Sequence, residues 1–311
     1  MTTVEQAEYG ATNALAQRRR RKRHRRGADW WRHVVGIVMA IFVLFPLAYI
    51  LSAAFNGEPT LVSARLIPEH ITLDNFRQIL STHPPDPNAP KADYLRWYAN
   101  SIIIPGSAAI LSVLLGSLAA YAFSRFRFKG RRIGMLGLLL IQMFPQFLAL
   151  VAIYVILLET GDVFHFLGLN TRTALILVYL GGAMGVNTWL LKGFFDTIPA
   201  ELDESARVDG ATPSQVFWGI VIPLATPVLA VVALISYIFT LNEFVIASAI
   251  LQTSDHQTLA VGLQGYIADK YAQSWGSFAA GVVLAAIPPT LLFLALQRFI
   301  VEGLTSGSVK G

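Results

Sequence analysis

Residues 217–242 read FWGIVIPLATPVLAVVALISYIFTLN, 26 positions without a charged side chain. A bilayer core about 30 Å thick takes roughly 20 consecutive apolar residues in a helix, so this stretch is long enough to cross one. It lacks the period-two alternation of a membrane strand, and in lipid a helix satisfies its backbone amides within one segment. Five further uncharged runs share its character: Val34–Phe55 (22 residues), Ala99–Ser124 (26), Ile133–Leu158 (26), Thr173–Leu191 (19) and Tyr271–Gln297 (27). The expected fold is all-α, a polytopic membrane protein with six transmembrane helices.

Composition agrees with that reading. Of 311 residues 54% are hydrophobic and 14% charged, and the mean hydropathy is +0.54. A soluble domain carries about 25% charged residues, so an ordinary solvated enzyme is excluded. A disordered chain is excluded as well, because disorder needs low hydrophobicity and high charge. With no cysteine in the sequence, disulfide scaffolds, Cys-ligated zinc, Fe–S clusters and thiol nucleophiles are ruled out.

The basic residues set the orientation. Eighteen of the 24 Lys and Arg fall in the N-terminal segment, the loops after spans 2 and 4, and the C-terminal end; six fall on the other side. Cytoplasmic loops carry the excess, so both termini are expected to be cytoplasmic in a multi-pass protein of the cell membrane. Residues 1–32 are expected to be a disordered polybasic N-terminus. Its run from Arg18 to Arg26 reads as a flank lying on anionic membrane lipid rather than as a nucleic-acid patch, since no aromatic or motif accompanies the charges. Ser52-Ala53-Ala54 resembles a signal-cleavage site, but the preceding run exceeds the usual ~7–15 apolar residues, which favours an uncleaved first span. The external segment 56–97 holds Pro59, Pro68, Pro84, Pro85, Pro87 and Pro90 and reads as irregular loop, too short for a core of its own. Residues 33–302 then form the six-helix domain and residues 303–311 a cytoplasmic tail.

Chemistry is sparse. The sequence contains no GxxxxGK[ST] phosphate loop, no GxSxG elbow and no HExxH helix. Its six histidines are scattered through flanks and loops, so neither catalytic residues nor a metal site is expected. Three features within the spans stand out. Pro145, in Gln142-Met143-Phe144-Pro145-Gln146, must interrupt the helical ladder of span 3. It reads either as a packing kink or as a broken helix lining a cavity, with Gln142 and Gln146 as partners for sugar hydroxyls. Gly181-Gly182-Ala183-Met184-Gly185 contains a GxxxG spacing, read as close helix packing. Glu243 lies 16 residues after Pro227, about 24 Å along a helix and so in the outer half of the bilayer. A carboxylate at that depth reads as a group facing a cavity, or as one capping a bent helix or sitting at the outer interface.

The stretch from Ile198 to Pro213, continuing to Ile220 and Pro223, joins spans 4 and 5. Pro199 suits a helix start, Gly210 a left-handed C-terminal cap, and Thr212-Pro213 an N-cap and first turn. Glu201, Asp203, Glu204, Arg207 and Asp209 are expected to expose a mostly acidic surface. Glu204-Ser205-Ala206, then Gly210, then Ile220 and Pro223, resemble the EAA loop of binding-protein-dependent ABC-importer permeases, a MetI-like domain family. Ser205 replaces an alanine of that pattern and Ile222 a leucine. Gln142–Pro145, Gly168–Thr171, Tyr179–Gly182, Asp209–Pro213, Thr258–Gly262 and the tail Gly303–Gly311 are similar to the maltose-permease subtype of the MalG type.

The resemblance implies a heteromeric importer for maltose or maltodextrin-like oligosaccharides, with trehalose or another sugar as the alternative. Its partners would be a second, MalF-like permease, an ATPase homodimer that binds ATP and Mg, and an extracellular sugar-binding protein; the chain itself needs no cofactor. The loop 196–216 would be the coupling helix, using Glu204, Ser205, Ala206, Asp209, Gly210, Ile220 and Pro223 against the ATPase. Gly307, Lys310 and Gly311 of the tail would reach between the ATPase subunits, and Gln142, Pro145, Gln146 and Glu243 would line the transport pathway. A secondary transporter would instead call for repeats and midplane coupling carboxylates, and Glu243 alone supports it thinly. An intramembrane enzyme would need a nucleophile or metal constellation, which the sequence lacks.

Overall fold

The computed structural model describes residues 30–57, 67–68, 70–81, 93–268 and 274–306, with side chains to residue 299. The arginine run and most of the proline-bearing loop, including 83–90, lie outside the described residues. So do Gly307, Lys310 and Gly311. In chain order the helices are α1 (Trp30–Ala54), α2 (Asp74–Leu80), α3 (Tyr94–Arg125), α4 (Arg131–Met143), α5 (Leu150–Val163), α6 (Arg172–Phe195) and α7 (Ala200–Val208). Then follow α8 (Pro213–Val216), α9 (Ile222–Leu241), α10 (Val245–Ile250), α11 (Leu259–Gly262), α12 (Gly265–Ala268), α13 (Trp275–Ala285) and α14 (Ile287–Ser306). Among the described residues there is no strand, only an isolated antiparallel bridge between Asn56 and Ile71.

Among the described residues six helical stretches are long and apolar enough to cross a membrane: Trp30–Ala54, Tyr94–Arg125, Gln146–Val163, Arg172–Phe195, Pro213–Leu241 and Trp275–Phe299. Five match the expected spans. The third differs: the run 133–158 is not one helix. It ends at Met143, Phe144 and Pro145 are extended, and the chain restarts through a 3-10 turn at Gln146–Ala149 into α5. A proline cannot supply its own amide to the ladder and forces its predecessor out of the helical region, which accounts for Phe144 at ψ 123°. The sixth crossing is also divided, between α13 and α14, and its helix runs to Ser306, past the expected tail boundary at 303.

The centre of the molecule is α3 packed along α6, with α9 against both. Lipid tails are as apolar as leucine, so helices associate in membranes chiefly through close packing and polar contacts. Ala108, Ser112, Gly116 and Ala120 recur every four residues on α3 and are all buried. A Cβ on Gly116 would stand 3.1 Å from Asn187 Cβ on α6, so the small stripe lets the two backbones approach. Asn187 then donates to Ser112 Oγ and to Ser236 Oγ, each at 3.1 Å, tying α3, α6 and α9 at one level. By contrast α1 is exposed on every side from Trp30 to Ala48 and meets the bundle only through its end, where Ser52, Ala53 and Ala54 are buried. There α2 docks through Asn75, whose amide donates to the Ala54 and Asn56 carbonyls at 3.0 and 2.7 Å.

Candidate functional site

The break in the third crossing opens a cavity of about 650 Å³ between it, α6 and α9. Gln142, Pro145, Gln146 and Glu243 all line it, together with Tyr179, Asn187, Ser236 and Thr240. Gln142 and Gln146, one turn apart in sequence, lie on either side of the break and face α6. A Cβ on Gly182 would stand 2.8 Å from Gln146 Nε2, and one on Gly185 would stand 2.8 Å from Gln142 Cγ. Gln146 Nε2 also reaches the Val178 carbonyl at 3.4 Å. The glycines of this run therefore make room for two amide side chains. That corrects the reading of Gly181–Gly185 as a GxxxG packing motif, for nothing lies within 4 Å of a Cβ on Gly181. Close helix approach belongs to Gly116 instead.

Glu243 combines a cap with a place in the cavity wall. It follows the end of α9 and receives the Ile246 and Ala247 amides at 2.9 and 3.0 Å, capping α10. The same carboxylate lines the cavity and accepts from Tyr179 OH at 2.8 Å. Tyr179, Asn187, Ser112 and Ser236 were not singled out from sequence; a lone hydroxyl or amide inside an apolar run carries no spacing signal. At the start of α6, Asn170 sits at φ 59° and its side chain accepts the Gln252 and Thr253 amides at 2.6 and 3.0 Å. Asparagine tolerates the left-handed region because its short amide replaces lost backbone partners.

The stretch between α6 and α9 folds as its sequence indicates. Pro199 precedes α7, and Gly210 at φ 87° ends it. The Gly210 amide reaches Arg207 O at 3.0 Å and the Ala211 amide Ala206 O at 2.9 Å, the paired bonds of a Schellman cap. Thr212 and Gln215 form a reciprocal capping box that starts α8. Residues 217–221 then make one π turn. Its wide Ile222-to-Phe217 bond fits the proline at 223, whose ring clashes with the carbonyl four residues back in a regular helix. Ile220 and Ala206 are half-buried against Leu191, Phe195, Val216 and Phe217, so the stretch has its own apolar footing under α3 and α6. Ser205, the departure from alanine, is accommodated by a 2.7 Å bond from its hydroxyl to Glu201 O.

Outward, α7 presents Glu201, Glu204, Ser205 and Asp209 to solvent, along with Val208, which is 87% exposed. Asp203 does not join that surface, contrary to the sequence reading. It is buried, and its Oδ2 accepts from Arg125 Nε of α3 at 2.8 Å, with side-chain exposures of 4% and 10%. Arg125 had counted only toward the basic loops; helical register places Asp203 one position off the exposed face. At the end of α6, burial raises the Asp196 carboxyl, but hydrogen bonds from Lys192 and Ser124 outweigh it and hold the group below the usual range.

A polytopic helical protein whose broken span opens a polar-lined cavity, and whose loop between α6 and α9 is a capped helix pair, has the build of a transport subunit. The chain belongs to the family described as binding-protein-dependent transport system inner membrane component, which matches residues 112–306. It is thus a permease subunit of an ABC importer and a multi-pass protein of the cell membrane. The galactooligosaccharides permease GanQ of Bacillus subtilis is 40% identical over 273 residues, 88% of this chain and 92% of that one. The maltose/maltodextrin permease MalG of Vibrio parahaemolyticus is 40% identical over 294 residues, 91% and 96%. MalG of Escherichia coli K12 is 38% identical over 289 residues, 90% and 95%. A crystal structure of a bacterial ABC transporter importing the acidic polysaccharide alginate aligns at TM-score 0.69 and 23% identity over 96% of this chain and 98% of that one, a likeness of fold.

Proposed function

We propose that this subunit moves a neutral oligosaccharide of the maltose/maltodextrin class inward by alternating access, with ATP hydrolysed on a separate ATPase homodimer. The observation that carries the substrate class is the lining of the cavity. Two glutamines, an asparagine, a serine, a threonine and a tyrosine supply donors and acceptors spaced along an apolar wall, with Glu243 the one charged group among the lining residues. Such a wall suits a polyol and offers no cation to hold an acidic sugar; its volume lies in the usual range of ~300–1,000 Å³ for small-molecule sites. Galactooligosaccharides are the second reading, favoured by the 40% identity to GanQ.

In this account α7 is the coupling helix. Glu204 and Asp209, beside exposed Val208, face a cleft of the ATPase, and Gly210 sets the turn by which motion passes to α9. A MalF-like permease completes the pathway, and a sugar-binding protein delivers substrate from outside. Both termini are cytoplasmic, and Gly307, Lys310 and Gly311 reach the ATPase pair. The test is uptake by vesicles holding the full assembly, offered labelled maltotriose or β-galactotriose. The proposal expects ATP-dependent maltotriose uptake. Exclusive β-galactotriose uptake would select the second reading, and uptake without ATP would overturn both. Glu204→Lys or Gly210→Pro should leave the chain inserted yet hydrolysis uncoupled from uptake; normal uptake by both at matched membrane levels contradicts the coupling role.

A further inference from the structure

The longest helix, α3, makes contacts at both of its ends that a mere membrane span does not need. At its inner end Arg125 lies among buried groups: Nε donates to Asp203 Oδ2 at 2.8 Å and a terminal nitrogen to Ile198 O at 2.9 Å. One turn back, Tyr121 donates to Pro213 O at 3.4 Å, and its ring packs on Phe217 with centroids 5.1 Å apart. Two residues of one helix thus hold the segment before α7, α7 itself and the start of α8. At the outer end Trp97 Nε1 donates to Ser254 O at 2.6 Å, Asn100 to Gln257 O at 2.8 Å, and the Leu259 amide to Ser101 Oγ at 2.7 Å. Gly262 of α11 is pressed on the Trp97 ring so closely that a Cβ there would fall 2.2 Å from it. Between these ends α3 is unbroken over 32 residues, with Pro105 inside it, a rod of about 48 Å.

We propose that Arg125, with Tyr121, is a positioning residue that fastens the coupling segment to α3, so that displacement of α7 is carried along this helix to the outer segment 254–262. The proposal rests on reading α7 as the coupling helix. A buried arginine satisfies the geometry better than any other residue, because its planar fork serves a carboxylate and a backbone carbonyl together. Among the described residues Asp203 Oδ1 has no hydrogen-bond partner, so Arg125 supplies the bond that holds this carboxylate. Truncating one partner would strand the other's charge, whereas replacing both by apolar residues removes the link without that penalty.

The absence of cysteine makes the test direct. Ala183→Cys places a thiol in the cavity wall, and an impermeant maleimide added outside vesicles of the full assembly reads its exposure, nucleotide-free and with ATP and vanadate trapped. With the native pair, trapping should raise labelling. With Arg125→Met/Asp203→Leu, trapping should persist while that rise falls at least fivefold, and the exchanged pair Arg125→Asp/Asp203→Arg should recover it in part. Arg125→Lys, which keeps charge but loses the fork, should lie between and serves if the double variant fails to assemble. An undiminished rise in the apolar pair overturns the inference while leaving the coupling helix intact. Loss of trapping and of assembly in proportion, without recovery by exchange, also overturns it. Glu204→Lys separates the two claims: if it leaves the rise unchanged, α7 is not where the ATPase acts, and the coupling reading itself falls.

Discussion

Tyr179 on α6 donates its hydroxyl to Glu243 Oε2 at 2.8 Å while the same carboxylate caps α10 through the Ile246 and Ala247 amides. One side chain thus ties α6, the end of α9 and α10 at the rim of the cavity. A carboxylate so placed is both a structural cap and the one charged group among the residues lining the cavity.

Tyr179→Phe removes the donor that α6 supplies to this carboxylate and leaves both amides in place. A hydrogen bond to a charged group contributes about 1.5–3 kcal/mol, and the retained amides put the expected loss at the lower end. Thermal unfolding in detergent should show it. Glu243→Gln turns an NH2 group toward one of the two α10 amides, so it should cost more stability than Tyr179→Phe, and it should lower uptake as well if the charge serves the sugar.

Gly182→Ala should expel the Gln146 amide from its seat and Gly185→Ala the Gln142 side chain, because each new methyl comes within 2.8 Å of them. Long flexible side chains can swing aside, so the expected effect is on half-saturating sugar concentration, several-fold upward, rather than on folding. Gly181→Ala, whose Cβ meets nothing within 4 Å, leaves both glutamines in place and is the control for folding. Gln146→Ala should relieve the Gly182→Ala steric clash in the double variant.

Gly210→Ala forces a Cβ into the left-handed region, at φ 87°, at a cost of roughly 1–2 kcal/mol. The Schellman bonds survive, so α7 should persist with weakened coupling. Gly210→Pro additionally removes the amide that reaches Arg207 O and should be much worse. Hydrolysis per sugar moved, measured at matched membrane levels, ranks the two.

Asp196 contributes to stability in the ionised form. Its folded-state proton affinity is lowered, net of burial, by Lys192 and Ser124. The contribution is therefore present above the unfolded carboxyl's range and lost as pH falls through the lower folded value. Asp196→Asn should lower the melting temperature near neutral pH and leave it nearly unchanged under strongly acid conditions, as read from melting curves across pH.

Five crossings were legible within a few residues because uncharged length is a property of the sequence alone, and the cap residues Gly210, Thr212 and Pro213 because each acts on its own backbone. The cavity was half legible. Pro145 announced a break, and Gln142 and Gln146 its polar lining. The glycines opposite them were misread as a helix-packing motif, since nothing in the spacing says which element comes near. Asp203 was misassigned for the same reason: on a nine-residue helix, exposure depends on what lies beneath, and the Arg125 that covers it is 78 residues away. Long-range pairing of this kind leaves no trace in periodicity or composition.

Purification of the tagged chain from its native membranes shows whether it works as the permease of an ATP-driven importer. Mass spectrometry of the purified material should find a second permease and an ATPase, and the assembly in liposomes should move sugar only with ATP. A chain that purifies alone and still transports in liposomes without ATP would contradict the account.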